Sequence, residues 1–329
     1  MYELKIMDAK QFRSVINMND VITSVEKAYY LYSTGKAGLF PVIVHDFEQG
    51  KNDMDIKSGH LEGAGFYGLK ILGFNQENPK SGRAALSGLI VIMDIKTQQP
   101  IGIVDASLVT FMRTGAAGAI GAKHLARKDA KTASIVGAGT QGRAQLMGLS
   151  LALPHLKTVH FFDINHDAAK KIAAEEQPNY PQLSLHGHGM EQIECVLSQT
   201  DVLVTCTPSR RSYIKNEWIR PGTHINAIGA DMTGKQELEP LLVSRAEVFT
   251  DSIVQSIAKG ECQWAYSGKM LEQENITEIG NIVAGIKKGR TSKEAVTVFD
   301  ATGIALQDLI TAKLALDKSG DHCSIIQMN

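Results

Sequence analysis

The sequence predicts an α/β protein in which a doubly wound parallel sheet is joined to a smaller α+β domain. From Thr132 onward, short β-type segments alternate with helical ones, which is typical of parallel sheets whose strands are connected by crossover helices. Before that point, four β-type segments follow one another with only turns between them. This second pattern favours an antiparallel sheet.

The amino-terminal part begins with a predicted helix. Apolar residues recur at helical spacing over residues 19–34, behind a cap at Asp20, and the helix is expected to end at Gly35. Between Val42 and Asp105 the β-type segments read VIVHDF, GFYGLKIL, GLIVIMD and IGIVDA, with the turn sequence KTQQP before the last one. These segments predict the antiparallel sheet of the smaller domain.

The alanine- and glycine-rich segment 113–127 predicts a helix that starts near Arg113, and the domain junction is placed there. Beyond it, helices are expected from about Gln141, over Ala168–Glu175 and near Met190–Leu197. They alternate with strands that read TASIVG, TVHFFD, LSLHG, DVLVTC, HINAIG and EVFTD.

The last patterned stretch, Gly303–Leu316, predicts an amphipathic helix that packs back on the first domain. The predicted domains are therefore residues 1–112 together with 301–329, and residues 113–300.

Composition excludes several classes of protein. The formal net charge is -1 and basic residues form no long run, so binding to nucleic acid or to an acidic membrane is not expected. No segment is apolar enough to span a bilayer, and the start of the chain does not resemble a signal peptide. The four cysteines form no C-x-x-C pair, so neither a zinc site nor a disulfide framework is predicted. A cytoplasmic protein with a small-molecule partner fits best.

A dinucleotide-binding motif follows the strand TASIV. It is the G-x-G-x-x-G of Gly137, Gly139 and Gly142, it opens a helix through Thr140 and Gln141, and Asp163 ends the next strand. The first glycine permits a tight turn, the second lets the backbone approach a pyrophosphate, and the third lets helix and strand pack closely. This order of parts predicts a Rossmann domain.

Asp163 also predicts which dinucleotide is bound. Its carboxylate would accept hydrogen bonds from the ribose hydroxyls and repel a 2′-phosphate, and no arginine follows it, so NAD is favoured over NADP. The alternative is a glycine-rich turn that binds no nucleotide.

Several segments together resemble the ornithine cyclodeaminase/μ-crystallin family, in its alanine dehydrogenase-like branch. The resemblance covers nearly the whole chain. Besides GAGTQG, it rests on these segments, which occur in the family's order: FMRTGAAGAIGAKHLAR, VLVTCTPSR, EWIRPGTHINAIGAD, GKQELEP and VFDATGIALQD.

The resemblance implies how the chain is organised and which residues act. The amino-terminal sheet and the carboxy-terminal helix would bind substrate and form a homodimer, and the central domain would hold NAD. Lys70 and Asp231 match the family's catalytic lysine and aspartate, and Arg113 matches its substrate-binding arginine. The family's motifs also imply cofactor contacts in addition to those of the glycine loop and Asp163. The residues implied are Thr114, Thr207, Pro208 and Asp300, with Thr302 close to Asp300 in sequence.

The sequence departs from the family pattern at two points. Many members carry an arginine or lysine after the proline of the first strand, where this chain has Pro41 followed by Val42. The Met-Pro dipeptide that commonly precedes the lysine strand is replaced by Ile56-Lys57-Ser58. We hypothesise that Lys57 takes over part of the missing cationic role and helps to bind the substrate carboxylate.

These residue types suit the oxidation of an amino acid. Arg113 offers a planar fork for a carboxylate, although a position at the start of a helix would equally suit a pyrophosphate. Ionised Asp231, just beyond the strand HINAIG, would accept the amine proton and stabilise the iminium, and Lys70 would orient the carboxylate or pass a proton. The alternatives without a catalytic role are that Asp231 is an ordinary aspartate of a turn and that Lys70 is a solvent-exposed lysine of a strand.

Other residues point less clearly to chemistry. His186 and His188 would share one face of a strand, but no third ligand is apparent, so a surface strand is favoured and no metal is predicted. Cys206 is interpreted as a small buried residue rather than a nucleophile. The pair Tyr29-Tyr30 and Trp264 are interpreted as packing or interface residues.

Three functions remain open at this point. The leading one is an NAD-dependent L-amino-acid dehydrogenase or imino-acid reductase that acts on a small amino, imino or 2-oxo acid. The second is a cyclodeaminase, in which the hydride leaves and returns and ammonia is lost. The third is a μ-crystallin-like nucleotide-binding protein with little turnover, against which the aspartate at position 231 argues.

Overall fold

The computed structural model describes residues 1–48 and 51–329. It divides into two compact units, one formed by Met1–Arg113 with Ile304–Asn329 and the other by Thr114–Gly303. Within the described residues, every helix is too short or too polar to cross a lipid bilayer.

Among the residues that the structure describes, the first unit contains seven strands and two α-helices before a third α-helix leads to the second unit. The strands are β1 (Tyr2–Met7), β2 (Gly38–Leu39), β3 (Ile43–Glu48), β4 (Asn52–Leu61), β5 (Phe66–Asn75), β6 (Leu86–Asp94) and β7 (Pro100–Asp105), and the helices are α1 (Ala9–Val15) and α2 (Met18–Ser33). Helix α3 (Ala106–Leu125) follows β7 directly, and the boundary between the units falls within it.

The second unit alternates strands and helices. In chain order these elements are β8 (Thr132–Val136), α4 (Thr140–Ala152), β9 (Thr158–Asp163), α5 (His166–Glu176), β10 (Ser184–Gly189), α6 (Ile193–Leu197), β11 (Val202–Thr205), β12 (Arg210–Ile214), β13 (His224–Ala227), β14 (Gln236–Leu238), α7 (Pro240–Arg245), β15 (Glu247–Thr250), α8 (Ile253–Lys259), α9 (Cys262–Ser267), β16 (Ile276–Glu278), α10 (Ile279–Val283) and β17 (Thr297–Asp300). The chain then returns to the first unit with α11 (Ala305–Lys318) and β18 (Ser324–Met328).

The first sheet has the strand order β18-β1-β7-β6-β5-β4-β2, and β3 also pairs with β4. Its pairs are antiparallel except for β1 with β7. Glycines on the face that packs on α11 bring the helix close. A Cβ atom at Gly68 would lie 3.0 Å from the side chain of Leu309, and one at Gly102 would lie 2.7 Å from that of Leu316.

The second sheet is parallel throughout and has the order β10-β9-β8-β11-β13-β17-β15-β16. The chain runs outward from β8 to β10 and then crosses back to β11, so the strand order reverses between β8 and β11. In doubly wound sheets, ligands bind outside the carboxyl ends of the strands at such a reversal. The predicted fold class is confirmed.

Helix α3 corrects one expectation from the sequence. The helix begins at Ala106 rather than near Arg113, so Arg113 lies in its interior and is not at its start. The cause is local, because the carboxylate of Asp105, the last residue of β7, accepts a hydrogen bond of 2.8 Å from the N–H of Ser107. The proposed role of Arg113 at a helix start beside a pyrophosphate therefore loses its basis.

Candidate active site

A buried cluster of charges lies in the first unit. The Nζ of Lys70 donates to one oxygen of Asp308 at 2.9 Å, and the Nε of Arg113 donates to the other at 3.0 Å. Lys70 is 1% exposed and Asp308 is fully buried. A single carboxylate on α11 therefore holds the predicted catalytic lysine and the predicted substrate-binding arginine.

Lys57 belongs to the same cluster. It is paired in register with Lys70 across β4 and β5, so the two side chains project from the same face, and it is 5% exposed. Its Nζ lies 4.0 Å from a carboxylate oxygen of Asp55. We call these five residues, Lys57, Lys70, Arg113, Asp55 and Asp308, the cationic cluster.

Two neutral side chains extend the cluster. Gln307 accepts a hydrogen bond of 3.0 Å from Nη1 of Arg113 and donates one of 2.5 Å to the hydroxyl of Tyr29 on α2. Tyr29 is 1% exposed, as expected for a packing residue. The Arg113 guanidinium is thus fixed by a carboxylate and an amide, which defines its direction.

The environment changes the titration of both members of the central pair. Burial lowers the pKa of Lys70 to about 8, although the charge of Asp308 acts in the opposite direction. Burial alone would raise the pKa of Asp308, but the charges of Arg113 and Lys70 outweigh it and the pKa falls below its usual value. Asp308 therefore stays ionised, while Lys70 titrates close to neutral pH.

The glycine loop of the second unit joins β8 to α4. Gly137 has φ +113°, which favours glycine, and a Cβ atom there would lie 2.8 Å from the carbonyl oxygen of Cys206. A Cβ atom on Gly142 would lie 2.3 Å from the carbonyl oxygen of Gly137, so this glycine lets helix and strand pack closely. Around Gly139, in contrast, a Cβ atom would meet no atom within 4 Å.

The start of α4 suits an anion. Gly139 precedes the helix and provides no side-chain cap, and Gly139 and Thr140 are exposed. The buried side-chain oxygen of Gln141 has no hydrogen-bond partner. At the end of β9, Asp163 accepts hydrogen bonds of 2.9 Å from the N–H groups of Ala138 and Asn165. These residues fit a dinucleotide whose pyrophosphate lies at the helix N-terminus.

The loops after β11 and β13 carry further predicted residues. Thr207 is half-buried and Pro208 is exposed, and both follow β11. Asp231 follows β13, its side chain is 44% exposed, and one of its oxygens lies 2.6 Å from Nζ of Lys235. Because β8, β11 and β13 are neighbours, the glycine loop, Thr207 and Asp231 all lie at one edge of the second sheet.

The remaining predicted cofactor residues are more enclosed. Asp300 is fully buried, and its Oδ2 accepts hydrogen bonds from the hydroxyl of Ser256 at 2.5 Å and from the N–H of Cys262 at 3.0 Å. Burial raises the pKa of Asp300 to about 6. Thr302 donates to Asp251, and the carbonyl of Thr114 accepts from Gln145. Their contacts with a cofactor stay predictions.

The two histidines of β10 have a neighbour that the sequence did not indicate. His160 on β9 lies 2.9 Å from His188 between Nδ1 and Nε2, and its ring stacks on that of His186. Burial lowers the pKa of His160 to about 4. In the part of the chain that the structure describes, no group of three or more histidine, cysteine or acidic residues is arranged to hold a metal ion.

Cys206 and Trp264 make structural contacts. The thiol of Cys206 donates to the carbonyl of Val136 at 3.3 Å, and burial raises its pKa well above the ordinary value. Trp264 is 39% exposed and donates to the carbonyl of Lys235 at 3.1 Å. The thiol is therefore poorly suited to act as a nucleophile at neutral pH.

Sequence reasoning missed three polar residues of these sites. Gln307 and Asp308 interrupt the apolar pattern of α11. Because amides and carboxylates are rarely buried without a partner, their position on the predicted buried face could have indicated a polar site. Lys235 stands four residues after Asp231, a spacing at which ion pairs form, but it lies in a loop and a short strand follows it.

A model of one known family matches residues 3–322. The chain belongs to the ornithine cyclodeaminase/mu-crystallin family. Among curated proteins, it is 36% identical over 318 residues to an alanine dehydrogenase of Archaeoglobus fulgidus, covering 96% of this chain and 95% of the relative.

Two solved structures extend the comparison. An archaeal alanine dehydrogenase dimer with bound NAD has a TM-score of 0.91 and 35% identity, with both chains fully covered. A Δ1-pyrroline-2-carboxylate reductase of Thermococcus litoralis, in complex with NADH and L-proline, also has a TM-score of 0.91, with 30% identity and coverage of 98% of this chain and 99% of that one.

Proposed function

We propose that this protein is an NAD-dependent oxidoreductase that moves a hydride to or from the α-carbon of a small amino or imino acid. The observation that carries the proposal is the buried pair of Lys70 and Arg113 on one carboxylate, in a family member with a complete dinucleotide loop. The alanine dehydrogenase and the reductase that resemble this chain support the reaction class.

The glycine loop, Thr140, Gln141 and Asp163 would hold the cofactor. Bound NAD supplies or accepts the hydride. Asp163 favours NAD over NADP because its carboxylate would repel a 2′-phosphate, and the N–H groups at the start of α4 would neutralise part of the pyrophosphate charge.

The cationic cluster would bind the carboxylate of the substrate. The cluster brings three cationic side chains together, and Lys70 and Arg113 share the carboxylate of Asp308. Arg113 would provide the oriented contact and Lys57 additional charge, while Lys70 would donate a proton or orient the carboxylate.

Asp231 would act at the nitrogen. Its carboxylate would accept the amine proton during oxidation and return it during reduction, and in its ionised form it would stabilise positive charge on the substrate nitrogen. The Nζ of Lys235 lies 2.6 Å from one oxygen of this carboxylate and would help to orient it. The exposure of Asp231 leaves the side chain accessible to a ligand.

A substrate screen tests the proposal. L-amino acids are offered with NAD⁺, and 2-oxo acids with ammonia or methylamine, as well as cyclic imino acids, are offered with NADH, while absorbance reports the cofactor. We expect saturable turnover with a small amino or imino acid and loss of turnover in Asp231→Ala. Ammonia release without net NADH would indicate a cyclodeaminase instead. Absence of NADH binding would refute the proposal.

We also propose that the protein forms a homodimer through the first sheet. The face opposite α11 exposes apolar residues on neighbouring strands, with Leu69 36%, Ile71 40% and Leu89 48% exposed. A contiguous apolar face of this kind is typical of an interface between proteins. The similar archaeal alanine dehydrogenase, which was solved as a dimer, supports the assignment.

A further inference from the structure

A buried glutamate bridges two loops of the second unit. Glu237 on β14 is fully buried. One carboxylate oxygen accepts hydrogen bonds from the N–H of Thr207 at 2.8 Å, the hydroxyl of Thr207 at 2.7 Å and the hydroxyl of Tyr213 at 2.6 Å. The other oxygen accepts from the N–H of Gly229 at 3.0 Å. These four groups can all donate, which suits an ionised carboxylate.

A second carboxylate fixes the backbone of Glu237. Glu261, which is 1% exposed, accepts hydrogen bonds from the N–H groups of Glu237 and Leu238, the shortest at 2.7 Å. Burial raises the pKa of Glu237, and the hydrogen bonds from Tyr213 and Thr207 act in the opposite direction. A buried carboxylate is costly unless its oxygens are satisfied, so this arrangement constrains every group that donates to it.

The two bridged loops follow neighbouring strands. Thr207 lies beyond β11 and Gly229 beyond β13, and these strands pair in register up to Thr205 and Ala227. A Cβ atom on Gly229 would lie 2.3 Å from the carboxylate of Glu237 and 2.4 Å from the carbonyl oxygen of Thr207. The loops are therefore in close contact, and Asp231 is two residues beyond the bridged glycine.

We propose that Glu237 is a positioning residue that holds the Thr207 loop and the Gly229–Asp231 loop in one fixed arrangement. The inference rests on the proposed function, in which Thr207 contacts the cofactor and Asp231 acts at the substrate nitrogen. Because Glu237 is fully buried, it would act through these two loops and not by direct contact with a ligand. It sets the distance between the group that binds the cofactor and the group that moves the proton.

The substitution Glu237→Gln removes the negative charge and one acceptor oxygen of the side chain with little change in its volume. The glutamine amide replaces one acceptor oxygen by a donor, which then faces an N–H or hydroxyl that also donates. A misplacement of about 1 Å costs catalysis about 100-fold. We expect kcat to fall by about this factor, with a smaller rise in the KM of the substrate, because the cationic cluster that binds the carboxylate is unchanged.

Asp201→Asn is the matched control. Asp201 is also buried, at 7% exposure, and accepts hydrogen bonds from the N–H groups of Lys131 and Thr132 and from two arginines. It stands immediately before β11, at the opposite end of that strand from Thr207. We expect this variant to lose thermal stability as Glu237→Gln does, but to keep the kcat and the NADH affinity of the unchanged protein.

Hydrogen exchange gives a readout that does not depend on turnover. In Glu237→Gln we expect faster exchange over residues 206–211 and 228–233, and a weaker Kd for NADH by fluorescence. Faster exchange confined to these loops, with the kcat loss, supports the inference even if the natural substrate differs from the one proposed. If the wild-type protein binds NADH but turns over no amino or imino acid, the proposed function fails while the exchange result still decides the role of Glu237.

Tyr213→Phe is the alternative variant if Glu237→Gln does not fold. It removes one hydrogen-bond donor to the carboxylate and leaves the charge of Glu237 in place, so we expect smaller changes in kcat, NADH affinity and hydrogen exchange in the same direction. Unchanged exchange in both loops, or a kcat loss equal to that of Asp201→Asn, would overturn the inference.

Discussion

The charge of Lys70 is a property of its surroundings. An exposed lysine is protonated well above neutral pH, whereas this side chain is 1% exposed and keeps a charge mainly through Asp308. Its pKa of about 8 places the loss of the proton within the range in which enzymes are assayed. Two predictions at the residue scale follow from this pair.

The first concerns pH. Above about pH 8 Lys70 loses its proton, so we expect kcat/KM for reduction to fall as pH rises through this value. Lys70→Met should lose about 10²–10⁴-fold in rate. Lys70→Arg keeps the positive charge over this pH range, so the decline of kcat/KM near pH 8 should be absent, whatever the maximal rate of the variant. Steady-state assays from pH 6 to 10 measure this. A decline at the same pH in Lys70→Arg would assign the titration to another group.

The same shift affects stability in a defined direction. Between about pH 8 and the ordinary lysine value of 10.5, the unfolded chain binds a proton at Lys70 that the folded chain has lost. The contribution of this group to the free energy of unfolding therefore rises with pH in that window and is constant below it.

The second prediction concerns Asp308. Asp308→Asn leaves two buried cations without their carboxylate, and we expect a loss of about 3–5 kcal/mol in the free energy of unfolding, measured by urea denaturation. Asp317→Asn on the same helix is the control, because Asp317 is 56% exposed and its pair with Lys313 is at the surface. It should change stability by less than about 1 kcal/mol. Equal losses in both variants would contradict the assigned role of Asp308.

At the scale of elements, local patterns predicted the strands and the helix around the glycine loop well. The strand β8, the glycine loop, helix α4 and the acidic end of β9 lie within one short stretch of chain, so each can be recognised without knowledge of the rest. Lys57, Lys70 and Arg113, predicted separately, lie in one cluster. Their counter-ion was missed because Asp308 is 195 residues from Arg113 in sequence, and no local pattern links them.

Short and terminal strands escaped prediction for the same physical reason. Strands β1 and β18 pair with each other from opposite ends of the chain, and β12 and β14 are short strands that pair with 21 residues between them. Their residues carry no strong strand pattern alone. The hydrogen bonds of Glu237 on β14 with Tyr213 on β12 depend on the pairing of these two strands. They could not be predicted from the sequence for the same reason.

The prediction at this scale compares two glycines of the loop before α4. Gly139→Ala places a Cβ atom in open space, so we expect unchanged thermal stability but at least about tenfold weaker NADH binding, because the added methyl group lies where the pyrophosphate is proposed to bind. Gly142→Ala forces helix and strand apart and should cost about 1–3 kcal/mol of stability as well. Full NADH affinity in Gly139→Ala would contradict the proposed cofactor site.

For the whole molecule, the apolar outer face of the first sheet has a measurable consequence. We expect light scattering to give about twice the 35.7 kDa chain mass, and Ile71→Asp combined with Leu89→Asp to give the mass of one chain. Val254→Asp controls for the removal of an exposed apolar residue, since Val254 is 72% exposed in the second unit. A wild-type monomer would refute the assignment of this face.

Because the chain returns to the first unit after the second, the first unit cannot complete its folding early in synthesis. Helix α11 fills the core between the sheet and α2 and brings Asp308 to a lysine that was synthesised more than two hundred residues earlier. Until α11 has been synthesised, Lys70 lacks the carboxylate of Asp308 and the glycine-lined face of the sheet has no helix packed on it. The first unit can therefore be completed only after the whole second unit has been synthesised, and until then this face of the sheet is exposed to chaperones.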